Sequence, residues 1–121
     1  MNIREEVLAL TDELIHIRRD LHMHPELGFE EFRTADIIEQ YLRELGLDPK
    51  RLAETGVVAT MAGTAMGASD GPTLMLRSDI DALPIQEEND VPYRSLNNGV
   101  MHACGHAAHT AMLLITAKIL V

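Results

Sequence analysis

The chain has 121 residues, 46% of them hydrophobic, which suits one globular domain or part of one. Its 10 basic residues against 19 acidic ones give a formal charge of −9, which argues against nucleic acid or an anionic membrane surface as a partner. One cysteine excludes an internal disulfide, the charged start MNIREEVLAL lacks signal-peptide features, and no window approaches the roughly 18 apolar residues of a membrane span, so a cytoplasmic protein is expected.

Apolar residues at three- and four-residue steps predict two helices before any strand. The first helix covers residues 3–21, and its apolar face consists of Ile3, Val7, Leu10, Leu14, Ile17 and Leu21. In the stretch HMHPELGFEE, Pro25 and Gly28 interrupt the pattern. The second helix covers residues 30–46 and ends at Gly46, because glycine readily takes the left-handed conformation after a helix. Its apolar face consists of Phe32, Ala35, Ile38, Tyr41, Leu42 and Leu45.

Two strands are predicted next, separated by the turn AMGASDG. The first is GVVATMAGT, residues 56–64, and the second is TLMLRSDIDALP, residues 73–84. Residues 74–76 show no polar alternation, as expected of a strand covered on both faces in an α/β sheet. The second strand turns polar at Asp79 and Asp81, and ligand sites of open α/β sheets favour such strand ends.

The last third of the chain is predicted to be a polar connection followed by a helix. Residues 85–98 lack periodicity, and residues 107–121, AAHTAMLLITAKILV, favour a helix. That helix ends on ITAKILV without a glycine, an asparagine, a proline or a polar turn. We therefore expect the 121 residues to be the N-terminal piece of a larger domain.

The stretch GVMHACGHAAHT gathers three histidines and the only cysteine. Thiolate and imidazole are good ligands for Zn²⁺ and similar ions, and residues two apart in an extended segment project on the same side, so Cys104 and His106 are predicted metal ligands. Gly105 permits unusual dihedrals, and the start of the following helix favours the thiolate form of Cys104. For His102 and His109, hydrogen bonding around the ligands is favoured over ligation.

Other readings of these polar residues stay open. Cys104 could be a small buried apolar residue and the histidines ordinary core or surface residues. Asp79 and Asp81 could orient a histidine ligand, bind a metal, or simply be polar residues at a strand exit. For the histidines of HMHPE, a solvated or packing role is favoured over catalysis.

Three motifs together resemble a known family. RRDLHMHPELGFEEFRTA, LRSDIDALPIQEEN and GVMHACGHAAHTAMLL, in this order and spacing, closely resemble the N-terminal part of the M20 metallopeptidase family, in its amidohydrolase branch. The resemblance covers nearly the whole chain. It implies an α/β fold in which residues 1–121 form the N-terminal segment of a metallo-aminopeptidase-like catalytic domain, with a mostly parallel sheet flanked by helices. The family's inserted lid and dimerisation domain is absent from these residues, and a homo-oligomer is possible by resemblance.

The resemblance also implies roles for individual residues. Cys104 and His106 fall on metal-ligand positions of a centre with two divalent ions (Zn, Mn, Co or Ni), and Asp81 falls on the catalytic aspartate that supports that centre. The family's remaining ligands and its general-base glutamate come from later chain. Where the family usually reads CGHD, this chain has Ala107, which removes a possible hydrogen-bond acceptor beside a ligand.

The function implied is metal-dependent hydrolysis of the amide bond of N-acylated amino acids or related small conjugates, as part of a longer enzyme. The 121 residues alone are expected to be inactive. One alternative is a non-catalytic fragment or truncated relative that acts as an interaction module. Another is a closed structural metal site completed by His102 and His109.

Overall fold

The computed structural model describes residues 2–121, apart from the side chain of Ile3, which lies outside the described residues. Its helices are α1 (Ile3–Ala9), α2 (Thr11–Met23), α3 (Phe32–Glu44) and α4 (His106–Leu120), and its strands are β1 (Lys50–Leu52) and β2 (Gly56–Val58). A short 3-10 helix spans Ala68–Asp70. Helices and a small sheet give the predicted α/β class. Within the described part of the chain, no helix is long and apolar enough to cross a membrane.

The single helix predicted over residues 3–21 is wrong at one position, because the chain breaks at Leu10 into α1 and α2. The Thr11 hydroxyl donates a hydrogen bond to the Leu8 carbonyl at 2.9 Å, a local bond that competes with a continuous helix. The predicted apolar face is buried at Ile17 and Leu21, whereas Val7 is 40% exposed. The helix also continues past its predicted end, to Met23.

The helix predicted over residues 30–46 is confirmed as α3, and both of its ends have a clear cause. At the start, the Glu26 carboxylate accepts the backbone N–H groups of Arg33 at 2.9 Å and Thr34 at 2.7 Å, which the helix itself cannot satisfy. At the end, Gly46 takes φ +83°, and the Leu47 N–H reaches the Leu42 carbonyl at 3.0 Å. The prediction is wrong for one residue of the apolar face, because Phe32 is 52% exposed.

Helix α4 packs against α2 and α3 to form the core. The predicted helix over residues 107–121 is confirmed, and it begins one residue earlier, at His106. The buried apolar cluster consists of Ile17, Leu21, Ile38, Leu42, Ala107, Ala111, Leu114 and Ile115. This cluster fixes the start of α4, and with it the metal-ligand candidates, relative to α2.

The predicted strands are mostly not formed. β1 and β2 make a two-stranded antiparallel hairpin, so the strand predicted over residues 56–64 is confirmed only at Gly56–Val58. The strand predicted over residues 73–84 is wrong: Leu74 and Met75 are each 81% exposed. Among residues 2–121 no ladder forms beside residues 73–81, and residues 73–77 are exposed. A mostly parallel sheet is therefore not confirmed. Residues 85–98 form the irregular connection predicted.

Candidate metal centre

The candidate site lies where residues 79–83 meet the start of α4. The Ala82 N–H donates to the Glu26 carbonyl at 2.8 Å. Leu83 and Met101 exchange both backbone hydrogen bonds, at 2.9 and 3.0 Å. These bonds hold the segment carrying Asp79 and Asp81 beside the segment that leads into α4, although the sheet expected there is missing.

His106 is held by Asp81 through one ring nitrogen. Its Nδ1 lies 2.9 Å from Asp81 Oδ1 and 3.0 Å from the Asp81 carbonyl oxygen. A proton on Nδ1 can therefore be donated to Asp81, which leaves the lone pair of Nε2 free. Carboxylates that accept the second ring N–H of a histidine orient the ring and raise its basicity as a ligand. The histidine side chain is 19% exposed, so Nε2 remains reachable.

Asp79 has a different partner. Its carboxylate pairs with the guanidinium of Arg77, and its Oδ2 lies 4.0 Å from His106 Nε2. The Asp79 carbonyl accepts a hydrogen bond from the Thr110 hydroxyl at 3.2 Å. Of the two aspartates, Asp81 is thus the one in hydrogen-bond contact with the candidate ligand.

Cys104 lies just before α4 and is exposed. Gly105 precedes the first helical residue with φ +122°, a conformation that L side chains rarely adopt. A thiolate and an imidazole suit the soft, N- and S-preferring ions such as Zn²⁺, so Cys104 and His106 fit part of a metal centre. Among the residues that the structure describes, no group of three or more potential ligands comes together.

The positions of His102 and His109 bear on the alternative of a closed structural metal site. Helix α4 begins at His106, so His109 shares its face, with the two ring centroids 6.2 Å apart. His102, by contrast, is only 6% exposed. Residues 2–121 contain no three-ligand group, so the closed site with His102 and His109 gains no support.

His102 differs from the hydrogen-bonded residue that we expected. Neither of its ring nitrogens has a hydrogen-bond partner among the described residues. Burial, followed by the nearby His22 and His106, lowers the pKa of His102 from 6.5 to about 4. The ring is therefore neutral at pH 7.

A buried histidine–carboxylate pair near the site was missed by the sequence analysis. His22 Nε2 lies 3.0 Å from Glu87 Oε1, and both residues are almost fully buried. Burial alone would raise the pKa of Glu87, but hydrogen bonds from His22, the Ser95 amide and Asn89 outweigh it and lower the pKa to about 2. Glu87 stands in an aperiodic polar run beside Glu88, and no local pattern marks one of two adjacent glutamates as buried.

The histidines of HMHPE have packing roles, as favoured from the sequence. His22 belongs to the buried pair, and His24 Nδ1 lies 2.8 Å from the Asp20 carbonyl oxygen. Ala107, the departure from the family pattern, is 2% exposed and its methyl group is part of the apolar cluster. The position usually held by a carboxylate is therefore buried against the core in this chain.

Comparison with known proteins identifies relatives along most of the chain. Residues 75–121 match Peptidase family M20/M25/M40. The N-acetyl-L-cysteine deacetylase of Bacillus subtilis is 50% identical over 113 residues, which cover 93% of this chain and 26% of the relative. The N-acyl-L-amino acid amidohydrolase of Geobacillus stearothermophilus is 48% identical over 121 residues, covering 96% of this chain and 32% of the relative.

A solved structure is also similar to this chain. The Bacillus subtilis YXEP protein, described as a dinuclear metal binding peptidase from the M20 family, superimposes with a TM-score of 0.85 at 45% identity. The match covers 93% of this chain and 31% of that one. The chain thus spans about a third or less of the length of these relatives. None of the three is described as a non-catalytic interaction module, so that alternative gains no support.

Proposed function

Because the chain belongs to peptidase family M20/M25/M40, we propose that it is part of the catalytic domain of a dinuclear metal-dependent amidohydrolase. The substrates would be N-acylated amino acids, the class named for two of its relatives. The 121 residues would form the N-terminal segment of that domain. Further ligands and the general base would come from chain outside them.

One observation carries the proposal. His106 Nδ1 lies 2.9 Å from the Asp81 carboxylate and 3.0 Å from the Asp81 carbonyl oxygen, so with the proton on Nδ1 the Nε2 lone pair is left for a metal ion. Cys104 lies two residues earlier, exposed, with Gly105 between them at φ +122°. Imidazole and thiolate close to a supporting carboxylate suit an ion such as Zn²⁺. A purely structural role does not require these three groups together.

Each residue of the site has a defined task in this proposal. Asp81 fixes the tautomer and the orientation of His106, so that Nε2 is the coordinating atom. Cys104, as a thiolate, contributes negative charge to the same cage. Metal ions bound there would polarise the scissile carbonyl and lower the pKa of a bound water. The buried Ala107 contributes no acceptor, so His106 depends on Asp81 alone for its hydrogen bond at Nδ1.

The test uses the complete protein that carries this chain. The purified protein should hydrolyse N-acetyl amino acids, and a chelator should abolish the activity. Cys104→Ala should lower both the metal content, measured by plasma mass spectrometry, and the hydrolysis rate. His16→Ala is the matched control, since His16 is exposed on α2, outside the site. Full metal content and full activity in Cys104→Ala would mean that the cysteine is not a metal ligand, and the assignment would lose its local support.

The metal identity, a homo-oligomeric assembly and a cytoplasmic location stay predictions. The 121 residues by themselves are predicted not to turn over N-acyl amino acids, because they supply too few ligands and no general base.

A further inference from the structure

The Glu87 carboxylate ties two distant parts of the chain together. Its Oε1 binds His22 Nε2 on α2 at 3.0 Å, and its Oε2 accepts the backbone N–H of Ser95. Asn89 Nδ2 also donates to Oε1, at 3.2 Å. Both oxygens are therefore in use, and the carboxylate links α2 to the loop formed by residues 85–98.

The loop in turn holds the segment that leads to Cys104 and His106. The Ser95 hydroxyl donates to the Val100 carbonyl at 2.6 Å. Gln86 Oε1 accepts the Gly99 N–H at 2.7 Å, and Leu83 pairs with Met101. One partner of each bond is a residue within five positions of Cys104. The backbone that enters the site is therefore held in place by these bonds.

The same loop is anchored on the C-terminal end of α2 by independent contacts. The Leu96 N–H donates to the Met23 carbonyl at 2.9 Å. The Tyr93 ring meets His22 edge-on at a centroid distance of 6.0 Å, and the Arg19 guanidinium lies 4.5 Å from the ring centroid. Helix α2 also packs on α4 in the core. It therefore holds both the loop that precedes the Cys104–His106 stretch and the helix that follows it.

We propose that His22 and Glu87 are positioning residues for the candidate metal centre, which they set through the 95–101 backbone without touching Cys104 or His106. The metal-binding consequence rests on the proposed function, whereas the positioning of the backbone does not. A buried pair whose carboxylate is fully satisfied is rigid, and a displacement of about 1 Å at a ligand is enough to weaken a metal site.

Hydrogen exchange of the complete protein tests the positioning directly. In Glu87→Gln one side-chain oxygen becomes an NH₂ group, which cannot accept a hydrogen bond, so the side chain loses its charge and one of the two acceptors that hold His22 and Ser95. The amides of Gly99 and Met101 should exchange at least about tenfold faster relative to the amides of α3. If exchange became faster by the same factor at these two amides and in α3, or did not change at either, the proposal would be overturned.

Metal affinity provides the second measurement. Zn²⁺ protection of Cys104 against alkylation, followed by mass spectrometry on the peptide that carries it, should require roughly 10–100-fold more Zn²⁺ in Glu87→Gln, the range seen for partners behind metal ligands. Ile38→Val is the matched control, since it destabilises the core without altering a polar contact. Its Zn²⁺ requirement should stay within about twofold of the wild-type value. An equal loss of protection in both variants would show that Glu87 contributes stability only.

Ser95→Ala covers the case in which Glu87→Gln fails to fold. It removes the hydroxyl bond to Val100 but keeps the backbone N–H that Glu87 accepts. Faster exchange confined to residues 99–103 supports the proposal, and unchanged exchange there contradicts it. If Zn²⁺ fails to protect Cys104 even in the wild-type protein, the proposed function fails, while the exchange result still decides the positioning role.

Discussion

Two histidine–carboxylate pairs lie in this molecule, and they differ in burial. In the His22–Glu87 pair the side chains are 4% and 1% exposed, whereas His106 and Asp81 are 19% and 35% exposed. In the buried pair both carboxylate oxygens are occupied by donors. In the half-exposed pair, as in the buried one, the carboxylate contacts one ring nitrogen of its histidine.

The difference teaches how the same chemistry serves two purposes. A buried carboxylate must be saturated with donors, because an unmatched charge away from water is costly. Such a pair holds structure, and its one unpartnered atom, His22 Nδ1, is buried away from solvent. A half-exposed pair can leave one nitrogen free at moderate cost, so His106 Nε2 remains available.

The sharpest test of this comparison is the removal of His106. His106→Ala deletes the free nitrogen itself, so the Zn²⁺ affinity of the complete protein should fall by more than the roughly 100-fold limit for outer partners. A competition titration against a chromophoric chelator measures the change. His109→Ala is the control on the same helix face and should have a much smaller effect. Equal losses in the two variants would mean that His106 has no special role as a ligand compared with His109.

Acid titration tests the buried pair. The pKa of Glu87 is lowered from 4.5 to about 2, so its contribution to stability is complete above pH 4.5 and is lost as the pH falls towards 2. The shift corresponds to about 3 kcal/mol. In Glu87→Gln this part of the acid dependence should vanish, as measured by urea unfolding at a series of pH values. If the unfolding free energy depended on pH between 4.5 and 2 in the same way in Glu87→Gln and in the wild-type protein, the pair would not be tight.

The smallest expected effect concerns Asp81. Asp81→Asn keeps an oxygen that can accept the His106 proton but removes the charge, so Zn²⁺ affinity should fall roughly 10–100-fold with little change in the unfolding free energy. Asp79→Asn is the matched control, because the Asp79 carboxylate is engaged by Arg77. The same titration compares the two. A larger loss in Asp79→Asn would exchange the roles assigned to the two aspartates.

Much of the helical framework could be predicted from the sequence, because helix formation follows local periodicity. The α3 boundaries were marked by an apolar stripe and Gly46, and α4 began within one residue of its predicted start. The break at Leu10 was missed, since the apolar spacing continues through it and only local bonds such as that of the Thr11 hydroxyl to Leu8 mark it. The strand expected around Leu74 was wrong, because an apolar run becomes a strand only beside a partner.

Within the candidate site, the sequence by itself determined the ligand candidates: Cys104 and His106, their spacing, and the helix that follows them. The residue pattern left Asp79 and Asp81 open, and the tertiary structure placed Asp81 beside His106 and His22 beside Glu87. Those contacts join residues 25 and 65 positions apart. Local patterns carry no information on such pairings, because the packing of α2 against α4 and the course of the loop over residues 85–98 bring the partners together.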